Sequence, residues 1–99
     1  MYQARQQDHV TVVRVWGDLS REELVSLAAL AERARKAGRM VVLDLKAVTH
    51  LHGAGAALLA SVPGLRAAGA SRYVRDLVDA GGAGRLALFD DVEEAVRAA

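Results

Sequence analysis

The chain has 99 residues, a formal net charge of +1 and no cysteine, a size that favours one domain over 1–99. Without cysteine there is no disulfide frame, thiolate metal site or cysteine nucleophile. Scattered arginines and a near-neutral balance argue against a nucleic-acid surface. Of the 53% apolar residues, 20 are Ala, so the heavier core falls to 13 Val and 13 Leu, with four aromatics. That composition suits short helices packed on a small sheet.

The opening residues, MYQARQQDH, are too polar for a signal peptide. Tyr2 to Gln6 reads as a weak edge strand, hairpinned through Asp8 and His9. Val10 to Trp16 is rich in β-branched residues and reads as a strand ended by Gly17 and Asp18. Ser20 and Glu23 form a capping box for a helix. Leu24, Leu27, Ala28 and Ala31 then follow at helical spacing, and Gly38 terminates it. The basic residues between Arg33 and Arg39 suit the negative end of that helix.

Met40 to Leu45 is an apolar run interrupted only by Asp44, short enough for a buried strand. Strand, helix and strand make a βαβ unit, which predicts a parallel pair with a right-handed crossover. A polar loop follows, and then a helix opened by Gly53 and Gly55, expected over about Ala54 to Ala68. Pro63 falls inside it, where a proline costs about 3 kcal/mol, so a kink or break is expected near Val62. The uncharged stretch Ala47 to Leu65 holds two His, three Gly and a Pro, too broken for a membrane span. The expectation is a soluble protein.

Ser71 reads as the cap of a third helix whose shared face carries Tyr73, Val74, Leu77 and Val78. The glycines at 81, 82 and 84 end it. Arg85 to Phe89 reads as a short strand. Asp90 with Glu93 then forms a second cap-and-box before a last helix, Asp91 to Ala98.

In this order the segments resemble the STAS domain of the anti-sigma-factor-antagonist family. VTVVRVWGDLS resembles the family's second strand, with its Gly-Glu-Leu-Asp ending, and VVLDLKAVTHL its third strand and switch loop. VRDLVDAGGAGRL resembles the helix that ends in a Thr-Gly-Leu turn, and LFDDVEEAV the final strand and helix. The family's switch is an Asp-Ser-Ser-Gly turn at a helix start, whose second serine is phosphorylated. Here the matching positions are His52, Gly53, Ala54 and Gly55. The phosphoacceptor is an alanine.

A second departure concerns the apolar strand that the resemblance places after Gly69. Ser71 goes almost directly into a helix, so that strand reads as deleted. The fold expected is α/β, a small mixed sheet of about four strands flanked by about four helices. The open edge would be covered by the shifted third helix or by a homodimer.

Other constellations carry less. His50 and His52, two apart in an extended segment, point to one side and suit a shared metal. A zinc centre needs a third ligand, however, and only His9 or Asp44 offers one, so no metal is expected. Ser20, Ser26, Ser61 and Ser71 lie outside any Gly-x-Ser-x-Gly elbow, and Ser20 and Ser71 serve better as caps. Asp18 and Asp44, at strand ends, are the one candidate acid–base pair and read as solvated carboxylates. The glycines at 81 to 84 lack the lysine and the spacing of a phosphate loop.

The resemblance implies a non-enzymatic, cofactor-free regulator of transcription in a bacterial cytoplasm. It would bind a serine-kinase anti-sigma factor, with a docking surface at His52, Gly53, Ala54 and Gly55 and Leu51 packed below. Two other readings stay open. One is a STAS subunit of a larger assembly, such as a stressosome or a lipid-trafficking ABC transporter. The other is a small-anion or ligand-binding module that uses the helix start.

Overall fold

In the computed structural model, which describes residues 1–80 and 86–98, five strands form one sheet in the order β1-β2-β3-β4-β5. The strands are β1 (Tyr2–Gln7), β2 (Val10–Leu19), β3 (Met40–Leu51), β4 (Arg66–Ala68) and β5 (Ala87–Phe89). Four helices accompany them: α1 (Arg21–Lys36), α2 (Gly53–Ala60), α3 (Arg72–Ala80) and α4 (Val92–Arg97). β1 pairs antiparallel with β2, while β2 to β5 run parallel. The sheet is therefore mixed, as expected. None of the described helices is long and apolar enough to cross a membrane.

The two central strands carry near-continuous apolar runs because both of their faces are covered. Val13 and Val15 of β2 and Val41, Leu43 and Leu45 of β3 face a core shared with Leu24, Leu27, Leu59, Val74 and Val78 of α1, α2 and α3. The intervening Val10, Val12 and Val42, with Ala68, face α4 through Ala95. Strand alternation thus splits the apolar residues into two layers. Arg39 closes one end of β2, donating to the Thr11 hydroxyl at 2.7 Å and to the Val10 carbonyl at 2.8 Å.

Capping follows the sequence, with two shifts. Ser20 accepts from the Glu23 amide at 3.2 Å, but the Glu23 carboxylate turns to the Met1 ammonium, with the Ser20 hydroxyl donating to it at 3.5 Å. Ser71 accepts from the Val74 amide at 3.2 Å. The final helix starts one residue later than expected: Asp91, not Asp90, is its cap, and accepts from the Glu94 amide at 2.8 Å. Asp90 instead pairs with Arg75 at 3.0 Å. The glycines at 81, 82 and 84 and the Arg85 start of the last strand lie outside the described residues.

The sheet has one strand more than expected. α2 ends at Ala60 rather than running to Ala68, and Arg66, Ala67 and Ala68 form β4 beside Val42, Leu43 and Asp44. The apolar strand is therefore not deleted; it lies before Gly69, shortened to three residues. β3 has a strand on each side at that point, so no gap needs a shifted helix or a second copy to fill it. The break itself is legible in the sequence. Pro63 lacks the amide a helix requires, and Val62, Pro63, Gly64 and Leu65 form a turn closed by the Leu65 amide on the Val62 carbonyl at 3.3 Å.

Gly64 sits at φ +74°, and a Cβ on it would have no atom within 4 Å, the pattern of a Pro-Gly type II turn. A side chain there meets only the unfavourable backbone region. Gly64→Ala is therefore expected to cost about 1 kcal/mol, read as a lower urea midpoint with an unchanged slope. An Asn at the same position should recover part of that loss, because Asn tolerates φ > 0 better than Ala does.

Candidate functional site

β3 runs past Leu45 to Leu51, six residues further than its apolar run predicts. It carries the polar loop of the sequence into the sheet as a strand end. Register shifts between Arg14 and Trp16 and between Gly17 and Asp18 keep β2 paired with it, so that Asp18 opposes His50 and Leu19 opposes Leu51. Leu51 is fully buried and anchors the strand end in the larger core. It is the buried residue that immediately precedes the cap of α2.

His52 is the N-cap of α2. Its backbone is extended, and its Nδ1 accepts from the Gly55 amide at 3.2 Å. This is the job of an Asp or Ser cap done by a ring nitrogen, and it places the ring proton on Nε2. Gly53 is half-buried, Ala54 is exposed and Gly55 is buried. The four matched residues therefore come together as one helix start with Ala54 turned to solvent.

Gly55 is required by packing rather than by dihedral angle. A Cβ at that position would meet Leu24 Cδ1 at 2.7 Å and Leu24 Cβ at 3.4 Å. Leu24 is itself fully buried, so it has little room to yield. The glycine lets the first turn of α2 lie against the first turn of α1. That contact fixes the height at which Ala54 emerges.

Two further groups share this end of the sheet. His50 is exposed, and its Nδ1 lies 2.7 Å from the Tyr73 hydroxyl. The two rings are tilted at 32° with centroids 5.8 Å apart. Tyr73 is 53% exposed, although its spacing with Val74, Leu77 and Val78 predicts a place on the buried face. Only Val74 and Val78 are buried on α3. The buried stripe is narrower than that spacing suggests, and Tyr73 flanks it on the surface, against His50.

The alternative chemistries are not assembled. His9 lies in the β1–β2 turn, where its carbonyl accepts from Met40 at the first residue of β3. Ten strand residues separate that point from His50, about 30 Å at the usual rise. Asp44 is six residues from His50 and opposes Arg14, so it too is out of reach as a third ligand. The same spacing separates Asp44 from Asp18, about 20 Å, and undoes the acid–base pair. Among the described residues no three His, Cys, Asp or Glu side chains group as metal ligands. Ser20 and Ser71 act as caps, and the Ser61 hydroxyl donates to the Leu58 carbonyl at 2.6 Å.

No family model matches the chain, and no curated protein matches it in sequence. Solved structures do match it. The unphosphorylated form of the anti-sigma factor antagonist SpoIIAA superposes with a TM-score of 0.75 at 17% identity, over 99% of this chain and 95% of that one. An anti-sigma factor antagonist from Mycobacterium paratuberculosis gives 0.75 at 21% identity, over 99% and 92%. This chain has the STAS fold. The phosphorylated form of the Bacillus cell fate determinant SpoIIAA gives 0.65 at 18% identity, over 99% and 98%. At such identities the likeness establishes architecture alone.

The close approach at Gly55 makes a direct prediction. Gly55→Ala should destabilise the domain by about 1–3 kcal/mol through overpacking against Leu24. Combining it with Leu24→Val, which shortens the clashing side chain, should restore part of the loss. Thermal unfolding of the single and double variants measures both effects, since two contacting sites should be non-additive.

Proposed function

We propose that this chain is a non-enzymatic regulatory module that works by protein–protein contact, in the manner of an anti-sigma factor antagonist. Its partner would be a serine-kinase anti-sigma factor, and its docking surface would centre on His52, Gly53, Ala54 and Gly55. It would do so without a phosphoserine switch. The observation that carries this reading is Ala54, exposed in the first turn of α2 on a fold shared with anti-sigma factor antagonists over 99% of the chain.

The first amides of α2 and the positive end of its dipole lie beside small side chains, giving a surface that a partner can approach closely. A phosphoserine there would add about −1.5 to −2 charges, which a docked partner would have to desolvate. Alanine keeps the size of that side chain and removes the oxygen. The partner-facing state is then permanent. The His50–Tyr73 pair extends the surface with an exposed aromatic of the type that anchors interfaces.

The test is a titration of the native chain, Ala54→Ser and Ala54→Asp against the partner captured from the native host. The native chain should remain unphosphorylated at this site in the presence of partner and ATP, as mass spectrometry will read. Unmodified Ala54→Ser should bind within about twofold of native, because one oxygen at an exposed helix start stays solvated. Ala54→Asp should bind at least about tenfold more weakly, a loss on the order of 1.4 kcal/mol from burying a charge at the contact. Tyr73→Ala should also weaken binding while leaving the melting temperature nearly unchanged. If Ala54→Asp binds as tightly as the native chain, the contact lies elsewhere, and a subunit role in a larger assembly takes its place.

A further inference from the structure

The longer of the two sheet edges is β1, with six residues against three in β5. Met1 and Trp16 exchange both backbone bonds, at 3.0 and 3.3 Å, which makes them a hydrogen-bonded pair of the antiparallel ladder. Such pairs alternate along the strands. Gln3, Arg5 and Gln7 therefore direct their amides and carbonyls to Arg14, Val12 and Val10. Those of Tyr2, Ala4 and Gln6 point the other way, off the sheet. No described turn, loop or cap bond reaches them.

Most devices that protect a strand edge are missing from β1. It holds no proline, and its register with β2 runs without a bulge from Tyr2 to Gln7. All six residues are exposed. Its one charge, Arg5, opposes Val12 and so stands on the α4 side of the sheet. On the other side, Tyr2 shares an open groove with Glu22, Glu23 and Ser26 of α1.

Self-pairing across a twofold axis is selective, because outward groups must meet outward groups. An antiparallel pairing centred on Ala4 meets that condition: Ala4 faces Ala4, Tyr2 faces Gln6, and each outward pair closes two hydrogen bonds. Arg5 then faces Gln3. An axis at Arg5 would set arginine against arginine, and an axis at Gln3 or Arg5 closes one outward pair fewer. The same axis reverses the second α1. Glu22, Ser26, Leu30 and Arg33 share one side of that helix by their spacing, and Glu22 and Ser26 mark it as the side toward β1. The acidic first turn of one α1 thus lies toward the basic last turn of the other, Glu22 toward Arg33.

We propose that β1 is a homodimer interface, at which two copies of this chain join antiparallel, centred on Ala4, into one continuous sheet. β2 separates β1 from β3 and the helix start beyond it, so the contact does not use Ala54 and stands apart from the docking surface there.

The experiment is sedimentation equilibrium of the native chain from about 1 μM to about 1 mM, joined to cysteine cross-linking. Two short strands make a small contact, so the dimer should be concentration-dependent and half-formed below about 1 mM. Ala4→Pro removes an outward amide and no bond to β2. It should keep the fold, as circular dichroism reads, and sediment as a monomer throughout. Because the chain has no cysteine, a single introduced thiol reports the register. Hydrogen-bonded partners lie about 5.5 Å apart at Cα, within disulfide reach, so Ala4→Cys should oxidise to a covalent dimer. Gln6→Cys alone should not, since its two copies would lie about 14 Å apart; mixed with Tyr2→Cys, it should. Ala54→Asp should dimerise like the native chain. A monomer at about 1 mM, which would leave the edge to an extended segment of another protein, overturns the assignment. So does a dimer unchanged by Ala4→Pro, or a Gln6→Cys chain that cross-links as readily as Ala4→Cys.

Discussion

The structure depends on β3 being buried on both of its faces. Val41, Leu43 and Leu45 feed one core and Val42 the other, so a single strand joins the three-helix layer to the α4 layer. A register slip by one residue would exchange the two sets and place Asp44 and Lys46 in the larger core. Pairing to β2 along nearly its whole length prevents that slip. The helix start is a consequence of this strand, since α2 begins just beyond its C-terminal end.

Burial and exposure are closely interleaved at the helix start. Leu51 and Gly55 are buried, while His52 and Ala54 are exposed. The buried pair holds the backbone in place, against the larger core and against Leu24. The exposed pair presents a capped helix end with no acidic or hydroxyl group. The His50–Tyr73 pair adds aromatic area beside it, contributed by a separate helix.

The short β4 has a physical explanation in its composition. Ala67 and Ala68 are both fully buried, and small side chains let β4 lie between β3 and β5 with α4 close above Ala68. Arg66 ties this arrangement to the last helix, donating to the Ala95 carbonyl at 2.6 Å and lying 5.8 Å from the centre of the Phe89 ring. Arg75 does the same for α3, reaching Asp90 after β5. Two arginines thus fasten the C-terminal part of the chain to a strand with little side-chain area of its own.

Strong local signals made most of this molecule legible in the sequence. The β-branched runs at Val10 and Met40, the Ser20 and Ser71 caps and the Pro63 break each rest on neighbouring residues alone. The start of α2 was legible in the same way, from glycines that follow an apolar strand, whereas the four positions matched there came from the family resemblance. Tertiary context decided the rest. Arg66 to Ala68 reads as helix because alanine favours helix locally, and becomes a strand because β3 offers it an unpaired edge. The extension of β3 to Leu51 is invisible to an apolar pattern, since its last residues are largely polar and are held by pairing with β2. Tyr73 keeps the helical spacing of a core residue, and only the packing of α3 determines that it faces solvent beside His50. Periodicity and capping act within a few residues, whereas pairing and burial depend on what the remainder of the chain brings alongside.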